Sequence, residues 1–174
     1  MIDGKLFDFE NIFRVIKSTE KMKRNQLRPL RTEIIELAIE KYSGSQLRYV
    51  GDTEDGKDFI GLQDSLRYES KSMDGMFQKR AGYTKKIIIK NFQGKNLGTP
   101  EKTFDYMLLW DTKTNTVGLC DWSSIAKNFV VKDATVESYV NHEDVTFLAK
   151  GVEVMEENVT NFEKKLMTEI RKLL

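Results

Sequence analysis

The chain has 174 residues, 40% of them hydrophobic and 32% charged, with a net charge of +1; this is ordinary globular composition and fits one domain with a real core. The longest apolar run, Tyr106 to Trp110, is too short to span a bilayer, and the N-terminus has no signal-peptide block, so a cytoplasmic protein with no membrane partner is expected. A single cysteine, Cys120 in TVGLC, excludes an internal disulfide and reads as inert packing, and the lone His142 argues against a histidine zinc cluster or a Ser/His/Asp triad.

In chain order, the spacing of Phe9, Ile12, Phe13 and Ile16 predicts an amphipathic helix from about Asp8, its cap, to Arg24. A second helix begins near Pro29, carries Leu30, Ile34, Leu37, Ala38 and Tyr42 on one face, and ends at Gly44. Glu33, Glu36 and Glu40 form an acidic stripe on it. Two short strands follow, Asp58 to Gly61 and Ser65 to Ser72, joined by a turn at Leu62 to Ser65. Another strand is expected at Lys85 to Phe92, then a hairpin of Phe104 to Trp110 with Thr116 to Asp121 around DTKTN. Met155, Val159, Phe162, Leu166, Ile170 and Leu173 predict a closing helix over Val152 to Leu174. The expected fold class is α/β, a single domain 1–174 with a central mixed sheet flanked by helices: N-terminal helices 8–43, a core of about 46–130 and a C-terminal helix of about 152–174.

The chemistry concentrates in the first hairpin, KDFIGLQDSLRYESKS. With Gln63 and Asp64 central in the turn, Asp58 falls opposite Glu69, and facing side chains are about 5 Å apart at Cβ. Strand alternation puts Arg67, Glu69 and Lys71 on one side and Leu66, Tyr68 and Ser70 on the other. Two carboxylates this close repel unless a cation lies between them, and oxygen-only ligation suits magnesium. Lys71 beside them suits charge stabilisation on an attacked phosphate, or orientation and deprotonation of a water.

An acid two residues before a lysine occurs five times: Asp3/Lys5, Asp55/Lys57, Glu69/Lys71, Asp111/Lys113 and Glu163/Lys165. Only Glu69/Lys71 lies on a strand that follows a paired acidic strand. Asp64 competes with Asp58 as the first acid, but turn chemistry explains it and would point it away from the site. The glycine-rich GKNLGTP lacks the spacing and ending of a phosphate-binding loop, so no nucleotide cofactor is expected.

KDFIG, a short turn and LRYESKS resemble the PD-(D/E)xK nuclease superfamily, with Lys57-Asp58 where the family often has Pro-Asp. The element order is similar to that of small homodimeric type II restriction enzymes over roughly residues 30 to 130. The resemblance implies a restriction-endonuclease-like fold, with Asp58 and Glu69 as metal ligands and Lys71 as the catalytic lysine. It further implies that Ser70 lends its backbone carbonyl to the metal, and it offers Glu36 as an additional acid from the preceding helix. For Glu36 an ordinary solvated helix face is the simpler reading. Mg2+ is the implied cofactor, with Mn2+ as substitute.

The small net charge hides two basic segments: residues 14 to 31 hold seven lysines and arginines against one acid, and residues 71 to 102 hold eight against two. Such segments attract phosphates. In the resembling enzymes the stretch after the ExK strand approaches the duplex, which points to Gln78, Lys79, Arg80 and Tyr83 for bases and to Lys85, Lys86 and Lys90 for phosphates. Met73, Met76 and Phe77 in the same stretch suit packing equally well. Cutting both strands of a duplex calls for a twofold homodimer, whose seam would be a flanking helix, the N-terminal ones by the resemblance. The expected activity is a sequence-specific, magnesium-dependent endonuclease acting on double-stranded DNA and leaving 5′-phosphate ends. Two other readings are a structure-specific repair or recombination nuclease of the same fold and a non-catalytic DNA-binding protein.

Overall fold

The computed structural model describes residues 1–23, 25–51, 58–77, 86–90, 102, 104–127, 129–132 and 135–173. The helices are α1 (Phe9–Ser18), α2 (Arg28–Lys41), α3 (Trp122–Ala126) and α4 (Glu156–Leu173). The strands are β1 (Leu47–Tyr49), β2 (Phe59–Gly61), β3 (Arg67–Met73), β4 (Lys86–Lys90), β5 (Tyr106–Asp111), β6 (Thr116–Asp121), β7 (Phe129–Lys132), β8 (Thr135–Asn141) and β9 (Val145–Ala149). They form a mixed six-stranded sheet in the order β1-β2-β3-β5-β6-β9 and a three-stranded sheet in the order β4-β8-β7. In the larger sheet β3 and β5 run parallel, while the neighbouring pairs β2/β3 and β5/β6 are antiparallel. None of the described helices is long and apolar enough to cross a membrane.

The larger sheet is packed on both faces, so β5 reads as a continuous apolar run rather than an alternation. Leu108, Trp110, Val117 and Leu119 join Phe9, Phe13 and Ile39 of the helices in one core. Met107, Leu109 and Cys120 join Phe104, Ile125 and Val140 in a second core on the opposite face. Trp110 is the largest side chain of the first core; Phe9 and Phe13 meet it edge-on at 6.0 and 5.8 Å, and its indole N–H donates to Ser70 Oγ at 3.0 Å. The buried indole therefore keeps a hydrogen-bond partner.

Several elements differ from expectation. Asp8 caps α1 through Asn11 N–H at 3.2 Å, but the helix stops at Ser18, not Arg24. Ser18 and Thr19 hydroxyls bond back to the carbonyls of Arg14 and Val15, and Arg31 of α2 donates to the carbonyls of Ile16 and Thr19 at 3.2 and 2.9 Å. The Thr19 hydroxyl and Arg31 thereby answer the Ile16 carbonyl freed in the last turn. The same arginine fixes the rotation of α2. Its packed face runs through Ile35, Ala38 and Ile39 with Ile34 and Tyr42 beside them, as expected for Ile34, Ala38 and Tyr42, but Leu30 and Leu37 are exposed at 39% and 46%. An apolar count misses a stripe that begins with an arginine.

The lysine-flanked strand β4 belongs to the smaller sheet, pairing with β8 from Lys86↔Asn141 to Lys90↔Glu137. Strands β1, β7, β8 and β9 and helix α3 were not expected from the sequence. Helix α4 begins at Glu156 rather than Val152, and Met155, expected on its apolar stripe, is exposed. Phe162 on that stripe packs against the first core under Arg14, whose guanidinium lies 5.2 Å from the ring centroid.

Candidate active site

The first hairpin is organised by Asp64. One carboxylate oxygen accepts the Leu66 N–H at 2.9 Å; the other accepts the Tyr68 hydroxyl at 2.7 Å and meets the Met1 amino group at 3.2 Å. Gly61 makes this possible, because a β-carbon there would overlap the Asp64 carboxylate. Burial raises the Asp64 pKa, but the Tyr68 and Leu66 bonds outweigh it and hold the carboxyl below its ordinary value. Asp64 is thus a turn residue on the side of Tyr68, as the turn chemistry implied.

The register follows the expected one: Phe59 faces Tyr68 and Ile60 faces Arg67. At Asp58 the ladder departs from it. The Asp58 N–H donates to the Tyr68 carbonyl at 2.9 Å, so Asp58 and Phe59 both lie against Tyr68 and β2 begins one residue later than predicted. The Asp58 carboxylate nevertheless reaches over β3, accepting the Ser70 N–H at 2.8 Å and hydrogen-bonding with the Glu69 carboxyl.

Pairing with β5 sets the direction of the β3 side chains. Glu69 neighbours Met107 and Lys71 neighbours Leu109, so both face the second core, while Tyr68 and Ser70 face the first. Burial pushes the Glu69 pKa far above the carboxylate range, the bond to Asp58 and its charge add to that, and Glu36 contributes further; Lys71 opposes them. Burial lowers the Lys71 pKa below that of an ordinary lysine, against the pull of Glu69 and Asp58. The Glu69 carboxyl, its Asp58 partner and the half-buried Lys71 amine thus act on one another electrostatically. Glu36 is half-buried on α2 and its charge is felt at Glu69. That differs from the plain solvated face the sequence suggested.

Among the described residues, no group of three or more His, Cys, Asp or Glu side chains is arranged to hold a metal ion. The donor set of Asp58 and Glu69 is carboxylate oxygen, the type a hard divalent cation takes, and a cation between them would relieve their repulsion.

The other acid-x-lysine pairs have separate explanations. Asp3 accepts the Lys5 N–H at 2.9 Å in a capped turn, and Glu163 pairs with Lys21 at 2.8 Å. Asp111 accepts backbone N–H groups and is fully buried. Asp55 and Lys57 lie outside the described residues.

Of the residues predicted to meet DNA, Gln78, Lys79, Arg80, Tyr83 and Lys85 lie outside the described residues, and Lys86 and Lys90 are the two ends of β4. The start of that segment is packed: Met76 is buried, and Phe77 lies edge-on to Phe147 at 5.1 Å. Sequence reasoning also missed Asp105. It accepts the Arg67 N–H at 2.8 Å and pairs with the Arg67 guanidinium and with Lys102, both at 3.3 Å. Burial raises the Asp105 pKa, but the Arg67 bonds dominate and leave it at about 2. Its place at the mouth of an apolar strand, FDYMLLW, was the available signal. Cys120 is buried, and burial pushes its thiol up to about 12, consistent with an inert role.

No protein-family model matches the chain, and comparison with curated proteins gave no match either.

Proposed function

We propose that this chain is a magnesium-dependent, sequence-specific endonuclease for double-stranded DNA, of the type II restriction kind, built on a restriction-endonuclease-like core. One observation carries the reading: the Asp58 carboxylate reaches over β3 to the Ser70 N–H and meets the Glu69 carboxyl through a hydrogen bond, and half-buried Lys71 follows Glu69 on the same face of β3. A perturbed acid with an acidic partner and a lysine, all half-buried together, is a functional-site signature. The mixed sheet with α1 and α2 against one face is compatible with the proposed core.

Asp58 and Glu69 would hold the metal, with the Ser70 carbonyl beside them. When bound, magnesium, or manganese in its place, supplies Lewis-acid stabilisation of the phosphoryl oxygen and lowers the pKa of water. The protein's own part is positional and acid–base. The Ser70 N–H fixes the Asp58 carboxylate. Lys71, with its pKa lowered by burial, is suited to take a proton from the attacking water or to donate a hydrogen bond to the phosphoryl oxygen. Attack at phosphorus breaks the bond to the 3′ oxygen, leaving a 5′-phosphate and a 3′-hydroxyl. Two copies related by a twofold axis would present one site to each strand. Leu30 and Leu37 on α2 are exposed apolar positions available to such a contact.

The test is digestion of a fully sequenced long duplex with magnesium, with manganese and with chelator, alongside sedimentation with and without DNA. Discrete fragments only in the presence of metal, from a dimer, are expected. Preferential cutting of branched DNA would replace this reading with a repair nuclease, and binding without cleavage in either metal would leave a DNA-binding protein.

A further inference from the structure

Arg67 opens β3 on the face that carries Glu69 and Lys71, two residues before the first of them. It is bound to Asp105 through both its backbone and its side chain. The backbone pairing is tight: the Asp105 carboxylate accepts the Arg67 N–H at 2.8 Å, and the Asp105 N–H donates to the Arg67 carbonyl at 2.9 Å. The Trp122 N–H donates to the Asp105 carbonyl at 3.0 Å, so Asp105 is fixed from the end of β6 as well.

The guanidinium is held less firmly. Its Nε and Nη2 reach Asp105 at 3.3 and 3.4 Å, longer than the roughly 2.7–2.9 Å of a well-made charge-assisted bond. The Arg67 side chain is 34% exposed, and the Lys102 ammonium, 55% exposed, meets the same carboxylate at 3.3 Å. Two cations thus share one anion. When the guanidinium turns away, Lys102 still answers Asp105 and the backbone bonds still join β3 to β5. The pairing of the strands therefore does not depend on the guanidinium, and a net positive charge stands at the exposed end of the row Arg67, Glu69, Lys71.

We propose that Arg67 is a DNA-binding residue of this site, turning its guanidinium from Asp105 to a backbone phosphate that flanks the one being cut. The inference rests on the nuclease reading of Asp58, Glu69 and Lys71. A planar guanidinium takes two phosphate oxygens at once, which a carboxylate shared with a lysine does not outmatch. Two residues of strand separate Arg67 from Glu69 by about 7 Å, and successive phosphates of one DNA strand advance by about 3.4 Å along the helix axis. The contact therefore falls one or two phosphates from the cut. It anchors the duplex without reading its sequence.

The test measures binding in calcium, on duplexes of unrelated sequence, for the full chain as wild type, Arg67→Ala and Arg67→Lys. Arg67→Ala is expected to bind every duplex about tenfold or more weakly and to lower the slope of log affinity against log salt by about 0.9. Arg67→Lys should keep the slope and recover part of the affinity. Duplexes carrying one neutral methylphosphonate at a time then locate the contact: a single replacement within two phosphates of the mapped cut should weaken the wild type and leave Arg67→Ala unmoved. A purely structural role lowers the melting temperature of Arg67→Ala and spares the slope. An unchanged slope, or a methylphosphonate effect equal in the two proteins, overturns the proposal. Arg67→Gln removes the charge but keeps donors toward Asp105, and it decides the matter if Arg67→Ala does not fold. Wild-type protein that cuts no DNA with magnesium or manganese would defeat the nuclease reading itself, and the inference with it; wild-type cleavage with an unchanged slope in the variant defeats this inference alone.

Discussion

The two faces of β3 are built on opposite principles. Tyr68 and Ser70 enter the first core, where the Tyr68 hydroxyl donates to Asp64 and Ser70 accepts from the Trp110 indole. Their polar atoms are neutral and paired, and they sit among buried aromatics, an arrangement that favours folding. Glu69 and Lys71 point the other way, and burial works against the charge of both. Alternate residues of one strand thus divide between holding the fold and storing unfavourable electrostatics. The contrast teaches where to look for function: on the face where the strand is least comfortable.

The largest effects should come from breaking the uncomfortable face. Lys71→Ala and Asp58→Ala are expected to lower the cleavage rate by at least about 10²–10³-fold, the range for losing one preorganised charge-stabilising group, while DNA binding measured in calcium persists. Asp64→Ala, on the comfortable side, should keep its cleavage rate and lose only stability. Equal rates in all three variants would contradict the division. On the packed face, Trp110→Ala should cost about 3–5 kcal/mol in chemical denaturation, as for other large aromatic truncations.

Glu69→Gln sharpens the contrast with a change of sign. The folded pKa of Glu69 is raised above its value of 4.5 in the unfolded chain. The native state therefore retains a proton that the unfolded state releases, so stability is full below about 4.5 and is lost progressively as pH rises toward the raised folded value. Glutamine keeps a donor toward Asp58 without an ionisation. In chelator, Glu69→Gln should melt higher than wild type at pH 8 and about equally at pH 4, while cleaving nothing. Magnesium at pH 8 should raise the wild-type melting temperature and leave that of the variant unmoved. A wild-type melting temperature that rises from pH 5 to pH 8 in chelator would show that Glu69 is not held protonated.

What was legible in the sequence follows the same local logic. The register of β2 with β3 could be read from a four-residue turn, and β5 with β6 from DTKTN, because turn residues fix pairing over short distances. Asp58, Glu69 and Lys71 were found together because one such hairpin brings two of its own residues alongside a third. The smaller sheet was not legible: Lys86 pairs with Asn141, and no local signal spans that separation. The α2 face was legible in part: Ile34, Ala38 and Tyr42 pack as expected, while Leu30 and Leu37 are exposed because Arg31 leads the packed face, answering the carbonyls of Ile16 and Thr19 at the end of α1. Asp111 looked like a turn aspartate because its bonds to Lys113 and Thr114 are of that kind. Its bonds to Gly75 and Phe77 depend on the parallel pairing of β3 with β5, in which Met73 faces Asp111.

The smallest effect tests whether the hairpin turn can be stabilised without touching the site. Ser65 has a φ of 57°, in the left-handed region that disfavours a β-carbon by roughly 1–2 kcal/mol. Ser65→Gly removes that strain, but it also adds freedom to the unfolded chain, so a net gain of up to about 1 kcal/mol is expected. The Ser65 N–H bond to the Gly61 carbonyl at 3.0 Å is a backbone bond and survives the change. Cleavage should be unaffected, because the turn is tied to Asp64 and Tyr68, whereas Asp58 is tied to Ser70 on the strand. A stability gain accompanied by slower cleavage would mean that turn and site move together, and that the two faces of β3 are less independent than their bonding suggests.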